Sequence, residues 1–127
     1  SGIDHVCLAG ASAELWKNVL NSATCIVDAI LGTGTRDVAR GDSKAAIDSI
    51  LARTKIDPRP HVISVDVPSG FDCDSGTPCG SCVQADDTLT FVASKQGFTT
   101  TDASFYTGRI QVIDIGVPQV VRNRFGL

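Results

Sequence analysis

The sequence predicts an α/β domain built on a parallel, doubly wound sheet with helices on both faces. Two observations carry this. Apolar runs of strand length alternate along the chain with stretches of helical period, and that alternation implies parallel strands joined by right-handed crossovers. Two of the runs, 25–31 (CIVDAIL) and 61–67 (HVISVDV), are nearly continuously apolar, as expected of strands covered on both faces.

Taken in order, residues 5–9 (HVCLA) are a short strand candidate. Ser12 is placed to cap a helix to about Asn21, with Leu15, Val19 and Leu20 on one face. The 25–31 strand follows, then a Gly-rich connection over 32–42. Ser43 opens a second helix whose stripe is Ala46, Ile47, Ile50 and Leu51, and Pro58 and Pro60 bar its continuation. The 61–67 strand is stopped by Pro68-Ser69-Gly70, and 71–82 is turn-rich. Residues 87–93 and 109–115 read as two more strands, with a short loop or helical turn between them. With no internal repeat and no linker, the 127 residues read as a single domain, 1–127.

Composition narrows the function classes. Hydrophobic residues at 43% and charged residues at 20% are globular proportions, which excludes a disordered or fibrous chain. No apolar run approaches the roughly 18 residues of a membrane-spanning helix. The net charge of −3, without any Lys/Arg cluster, argues against a nucleic-acid or anionic-membrane surface. The sequence has no methionine, so further residues are expected ahead of Ser1, and residues 1–10 do not resemble a signal peptide. Of the five cysteines, Cys7 and Cys25 fall inside apolar runs and are expected to be small buried hydrophobes. An odd count in a chain with a good core argues against a disulfide scaffold and fits a reducing cytoplasm.

Doubly wound sheets bind ligands beyond the carboxyl ends of their strands, and two carboxylates stand there in place of apolar residues. Asp28 interrupts the 25–31 run and Asp66 the 61–67 run. An ionised carboxylate in a sheet interior costs several kcal/mol unless donors or a cation compensate it. Each aspartate therefore either shapes its loop through backbone N–H bonds or belongs to a site. After Asp28 comes Gly32-Thr33-Gly34-Thr35-Arg36-Asp37-Val38. Glycines there let the backbone approach a phosphate or a polar ring substituent, although such a turn also arises for conformational reasons alone. Ser69 shares a corner with Asp66. It is no hydrolase nucleophile, because the chain lacks a Gly-x-Ser-x-Gly elbow and both histidines, His5 and His61, fall at strand starts. Cys73, Cys79 and Cys82 lack the fourth ligand of a structural zinc site, and Cys79-Gly80-Ser81-Cys82 lies in a loop where a redox pair would open a helix.

In order and spacing, several segments together resemble the YjeF N-terminal family. They are Val27-Asp28-Ala29-Ile30-Leu31-Gly32-Thr33-Gly34, then Val65-Asp66-Val67-Pro68-Ser69-Gly70-Phe71-Asp72-x-Asp74-x-Gly76, Ala85-Asp86, Thr88-Leu89-Thr90-Phe91, Lys95-x-Gly97 and Asp114-Ile115-Gly116-Val117-Pro118. The match runs from about residue 5 to 118; singly the motifs are loose, and as an ordered set they are specific. The resemblance implies a Rossmann-like fold and an NAD(P)HX epimerase, which interconverts the R and S forms of NADH and NADPH hydrated at ring carbon 6. A stereospecific dehydratase, fused or separate, then restores the cofactor. By position, the resemblance makes Asp28 and Ser69 ligands of a potassium ion, Gly32 through Val38 the loop lining the nucleotide, and Asp66 the acid/base at the reacting carbon. Hard oxygen donors suit such a cation. Epimerisation needs a proton delivered to the departing hydroxyl and removed again from the returning water, which one carboxyl can do. The family's Asn- and Gly-rich turn after its first strand, another source of a potassium ligand, is not found ahead of Asp28, so the front of the domain is expected to be missing. A possible homodimer is also implied. The alternative is a non-catalytic nucleotide-binding or dimerisation module on the same fold, as in relatives attached to RNA-decay proteins; loss of Asp28, Asp66 and Ser69 would favour it, and all three are present.

Overall fold

The computed structural model describes residues 5–126; the outermost positions of the expected 1–127 domain lie outside it. The elements are α1 (Ala13–Leu20), β1 (Cys25–Asp28), α2 (Gly41–Arg53), β2 (His61–Val65), β3 (Phe71–Asp72), β4 (Thr77–Pro78), β5 (Asp87–Phe91), a 3-10 turn (Gln96–Thr99), α3 (Ala103–Thr107), β6 (Arg109–Ile113) and α4 (Gln119–Phe125). The main sheet runs β1-β2-β5-β6 and every neighbouring pair is parallel, which is the predicted α/β class. A small antiparallel hairpin, β3-β4, stands apart.

One face of the sheet holds the core. Ile26 and Val62, side by side on β1 and β2, lie under Ile47 and Ile50 of α2, with Val83 and Ala85 closing the cluster. Burying each such side chain contributes about 1.5–3 kcal/mol. A second cluster, Val67, Phe71, Cys82, Phe98 and Ala103, joins the hairpin to the 3-10 turn and α3. On the opposite face Cys25 and Val27 are exposed, while Ile63, Val65, Leu89 and Phe91 are half-buried.

Several expectations are corrected. Residues 5–9 form no strand, because no neighbouring strand pairs with them. β1 stops at Asp28 and leaves 29–31 to the loop, since its carboxylate is tied to β2 and to the corner beyond it. Cys7 and Cys25 are exposed; the alternating burial of β1 puts Cys25 on the open face. Ser12 does cap α1, accepting from the Leu15 N–H at 3.3 Å, but α2 begins at Gly41 ahead of Ser43, with no side-chain cap.

The amino ends of the strands are knitted by charge. Arg59 donates to both oxygens of Asp86, at 2.8 and 2.9 Å, and the Val62 N–H donates to Oδ2 at 2.8 Å. Asp87 lies 2.7 Å from both His61 Nε2 and Arg109 Nε. Burial pushes the Asp86 carboxyl up, but Arg59, the Val62 N–H and His61 together outweigh it and hold it below the ordinary carboxylate range. Hydrogen bonds from Arg109 and His61 hold Asp87 low as well. A carboxyl with a depressed folded pKa contributes stability above its unfolded pKa, about 3.9, and that contribution is lost as pH falls through the folded value. The Asp86→Asn/Asp87→Asn variant is therefore expected to melt below the wild type at pH 7, with the gap closing below about pH 4. Thermal melts at both pH values check this; a gap independent of pH would contradict it.

Candidate functional site

Three parallel strands deliver their carboxyl ends to one edge, and each sequence-predicted site residue lies there. Asp28, the last residue of β1, is completely buried. Its Oδ2 accepts from Ser64 Oγ at 2.9 Å and from the Ser69 N–H at 2.8 Å, and its Oδ1 from Ser69 Oγ at 2.5 Å. A longer bond comes from the Ile30 N–H at 3.4 Å. Among the described residues no cationic side chain makes an ion pair with it. Ser69 Oγ in turn accepts from the Leu31 N–H at 2.9 Å. The start of the 32–38 loop and the Pro68-Ser69-Gly70 corner are thus tied through one buried hydroxyl. Ser69 is only 1% exposed, which rules it out as a hydrolase nucleophile in this geometry.

The corner depends on Gly70. Its φ is +90°, and a Cβ there would fall 2.1 Å from the Ser81 carbonyl oxygen. Its own carbonyl accepts from the Cys79 N–H at 2.7 Å. Gly70→Ala is expected to cost about 3 kcal/mol or more, from left-handed strain and backbone overlap together. Chemical denaturation measures this, and a loss under about 1 kcal/mol, the ordinary cost of a neutral substitution, would contradict it.

Asp66 follows β2 in the left-handed region, at φ +68°, and the only other described non-glycine residue with positive φ is Val92, also +68°. Such strain, about 1–3 kcal/mol per residue, persists where surrounding contacts over-determine it and clusters at functional sites. Here those contacts converge on one oxygen. Asp66 Oδ1 accepts from Thr90 Oγ1 at 3.3 Å and the Phe91 N–H at 3.2 Å, and Lys95 Nζ lies 3.0 Å away. In the sequence, Lys95 stands out only as part of the Lys95-x-Gly97 motif. No sequence signal short of knowing that the turn after β5 folds back over β2 places it beside Asp66.

The 32–38 loop opens beside these groups. Gly32, Thr33, Gly34, Arg36, Asp37 and Val38 are exposed and Thr35 is half-buried. Neither Gly32 nor Gly34 has a positive φ, and a Cβ on either would meet no protein atom. The purely conformational reading of these glycines therefore loses its support. The β3-β4 hairpin steadies the loop from outside. Cys73 Sγ donates to the Thr33 carbonyl at 3.8 Å and Cys79 Sγ to the Arg36 carbonyl at 3.6 Å. Arg36 and Asp74 pair at 2.7 Å, both largely exposed, so the pair contributes at most about 1 kcal/mol. Burial pushes all three hairpin thiols up, Cys82 to about 12, with Asp74 and Asp72 adding to the effect at Cys73. Protonated thiols are weak nucleophiles and weak metal ligands, and here Cys73 and Cys79 serve as loop donors, a role that their spacing in the sequence does not signal.

A parallel sheet with two aspartates at the ends of adjacent strands, a serine corner and an open glycine loop defines a Rossmann-like α/β domain, the class that takes its ligands at the carboxyl edge of the sheet. The chain belongs to the family of YjeF-related protein N-termini, whose model matches residues 5–97. It is 39% identical over 110 residues to the NAD(P)H-hydrate epimerase of Pirellula staleyi, covering 87% of this chain and 46% of that relative. It is also 39% identical over 97 residues to the bifunctional NAD(P)H-hydrate repair enzyme Nnr of Moorella thermoacetica, covering 76% of this chain and 17% of that relative. The crystal structure of yeast ynu0 (YNL200c) superposes with a TM-score of 0.64 at 24% identity, over 91% of this chain and 44% of that one, and supports the fold. The chain thus spans less than half the length of these relatives. No described helix is long and apolar enough to cross a membrane.

Proposed function

We propose that the protein containing this chain is an NAD(P)HX epimerase, interconverting the R and S forms of hydrated NADH and NADPH. The observation that carries the reading is Asp66, a half-buried carboxylate in a left-handed turn whose side-chain hydrogen bonds and ion pair, among the described residues, all fall on Oδ1. Oδ2 is thereby left to exchange a proton with substrate. Protonated at Oδ2, Asp66 gives its proton to the hydroxyl on ring carbon 6. The C–O bond breaks, water departs with the bonding pair, and the ring nitrogen's lone pair forms the C=N bond. Water then adds from the other face and returns its proton to Asp66, so nothing is consumed. Gly32, Thr33, Gly34, Thr35, Arg36, Asp37 and Val38 line the nucleotide, and the open space over both glycines supports a ligand approaching the backbone there.

Asp28 and Ser69 are the proposed potassium ligands. The fit is right in kind: a buried carboxylate with no ion-pair partner among the described residues, a hydroxyl and the nearby Leu31 carbonyl all offer hard oxygens. When bound, the ion would offset negative charge between Asp28 and the nucleotide. Relatives named bifunctional repair enzymes support a dehydratase partner, fused or separate, and the free cysteines support a reducing, cytoplasmic setting. A possible homodimer rests on family resemblance alone. Exchange of potassium for lithium in the epimerase assay tests the ion: activity is expected to fall in lithium and return with potassium, and equal rates in both would remove the ion from the account.

A further inference from the structure

We infer that Lys95 is the positioning residue of this reaction, holding Asp66 through Oδ1 so that Oδ2 alone meets the substrate; the inference rests on the epimerase reading above. The ammonium has three hydrogens, and three acceptors surround it. Asp66 Oδ1 lies 3.0 Å away, the Phe91 carbonyl 3.1 Å and the Ala93 carbonyl 3.5 Å. The two carbonyls reach Lys95 because Val92 between them takes a left-handed conformation, φ +68°, that a β-branched residue rarely adopts. Both strained non-glycine residues of the described chain therefore serve one contact. Val92 turns the backbone so that two carbonyls grip the ammonium, and Asp66 turns so that its carboxylate meets it. The Lys95 side chain is 20% exposed and that of Asp66 19%, so this pair is less screened by water than the surface pair Arg36–Asp74.

The arrangement has a consequence for the proton transfer. As Asp66 gives its proton to the departing hydroxyl, negative charge forms on the carboxylate, and the ammonium already stands 3.0 Å from Oδ1. Lys95 thus stabilises a charge that develops in the transition state, and does so without moving. Lys95 acts through Asp66, so its removal is expected to act on kcat and leave KM nearly unchanged.

The test uses the full-length protein and compares wild type, Asp66→Asn, Lys95→Met, Lys95→Arg and Lys95→Ala. Lys95→Met is expected to lower kcat about 100-fold, the cost of losing a transition-state contact and its alignment, with KM within about threefold. Ethylammonium added to Lys95→Ala is expected to restore part of kcat in a saturable way, while leaving Asp66→Asn unaffected. A merely structural lysine would show no such rescue. If Lys95→Met does not fold, Lys95→Arg carries the same kcat-against-KM test, since its fork does not reproduce the three-acceptor grip. A kcat within twofold of wild type in a folded Lys95 variant, or a loss confined to KM, overturns the inference; if Asp66→Asn is inactive in the same experiment, the epimerase reading survives. Absence of epimerisation by the wild type overturns both.

Discussion

Asp66→Asn is expected to lower kcat by about 1,000-fold, within the range a single general acid–base contributes, while the protein melts close to the wild-type temperature. The substitution is unusually clean at this position. Asp66 sits at φ +68°, where asparagine is accommodated as readily as aspartate. The amide oxygen can still accept from Thr90 Oγ1 and the Phe91 N–H and lie beside the Lys95 ammonium, the groups around Oδ1 in the native protein. What disappears is a group able to carry a proton. Asp66→Val would confuse the question, because a β-branched side chain there adds backbone strain. Kinetics and a thermal melt on the same preparation decide the point. Full activity, or lost activity only through unfolding, would remove Asp66 from the chemistry.

Asp28→Ala is expected to cost about 3 kcal/mol or more, from several buried donors left without their acceptor. Three close donors, Ser64 Oγ, the Ser69 N–H and Ser69 Oγ, would be left in a site with no exposure. An orphaned buried donor costs about 1–3 kcal/mol. The damage is predicted to spread to the loop, because Ser69 Oγ also accepts from the Leu31 N–H. Asp28→Ala should therefore weaken nucleotide binding as well as stability. Asp28→Asn is the milder partner: it keeps the shape, yet offers an NH₂ where Ser69 donates. Chemical denaturation and nucleotide titration check both effects, and a loss below about 1 kcal/mol in Asp28→Ala would show the carboxylate to be dispensable.

These two residues were legible in the sequence for one reason: a carboxylate inside an apolar strand run is conspicuous. The parallel order of the sheet was legible too, because buried strands and periodic helices leave patterns extending over many residues. Contacts set by turns left no such pattern. The strands of the β3-β4 hairpin have two residues each, too few for any alternation to show. α4 begins after Pro118 with Val120 and Val121 exposed, so it carries no apolar stripe pointing to a core. Cys25 looked like a core residue because its run is apolar, yet burial depends on what covers a face, and its face of β1 is open. Lys95 is the clearest case. Its partner lies 29 positions back in the chain, and only the left-handed turn at Val92 turns the backbone carbonyls beside it toward its ammonium.

The central claim is tested most directly by giving the full-length protein one pure epimer of NAD(P)HX and following the other by chromatography, with potassium present. The account predicts that the second epimer appears well above the uncatalysed rate and approaches the same equilibrium ratio from either starting form. A folded, full-length protein that leaves both rates at the uncatalysed level would contradict it, and would leave Asp28 and Asp66 as structure supporting a binding module.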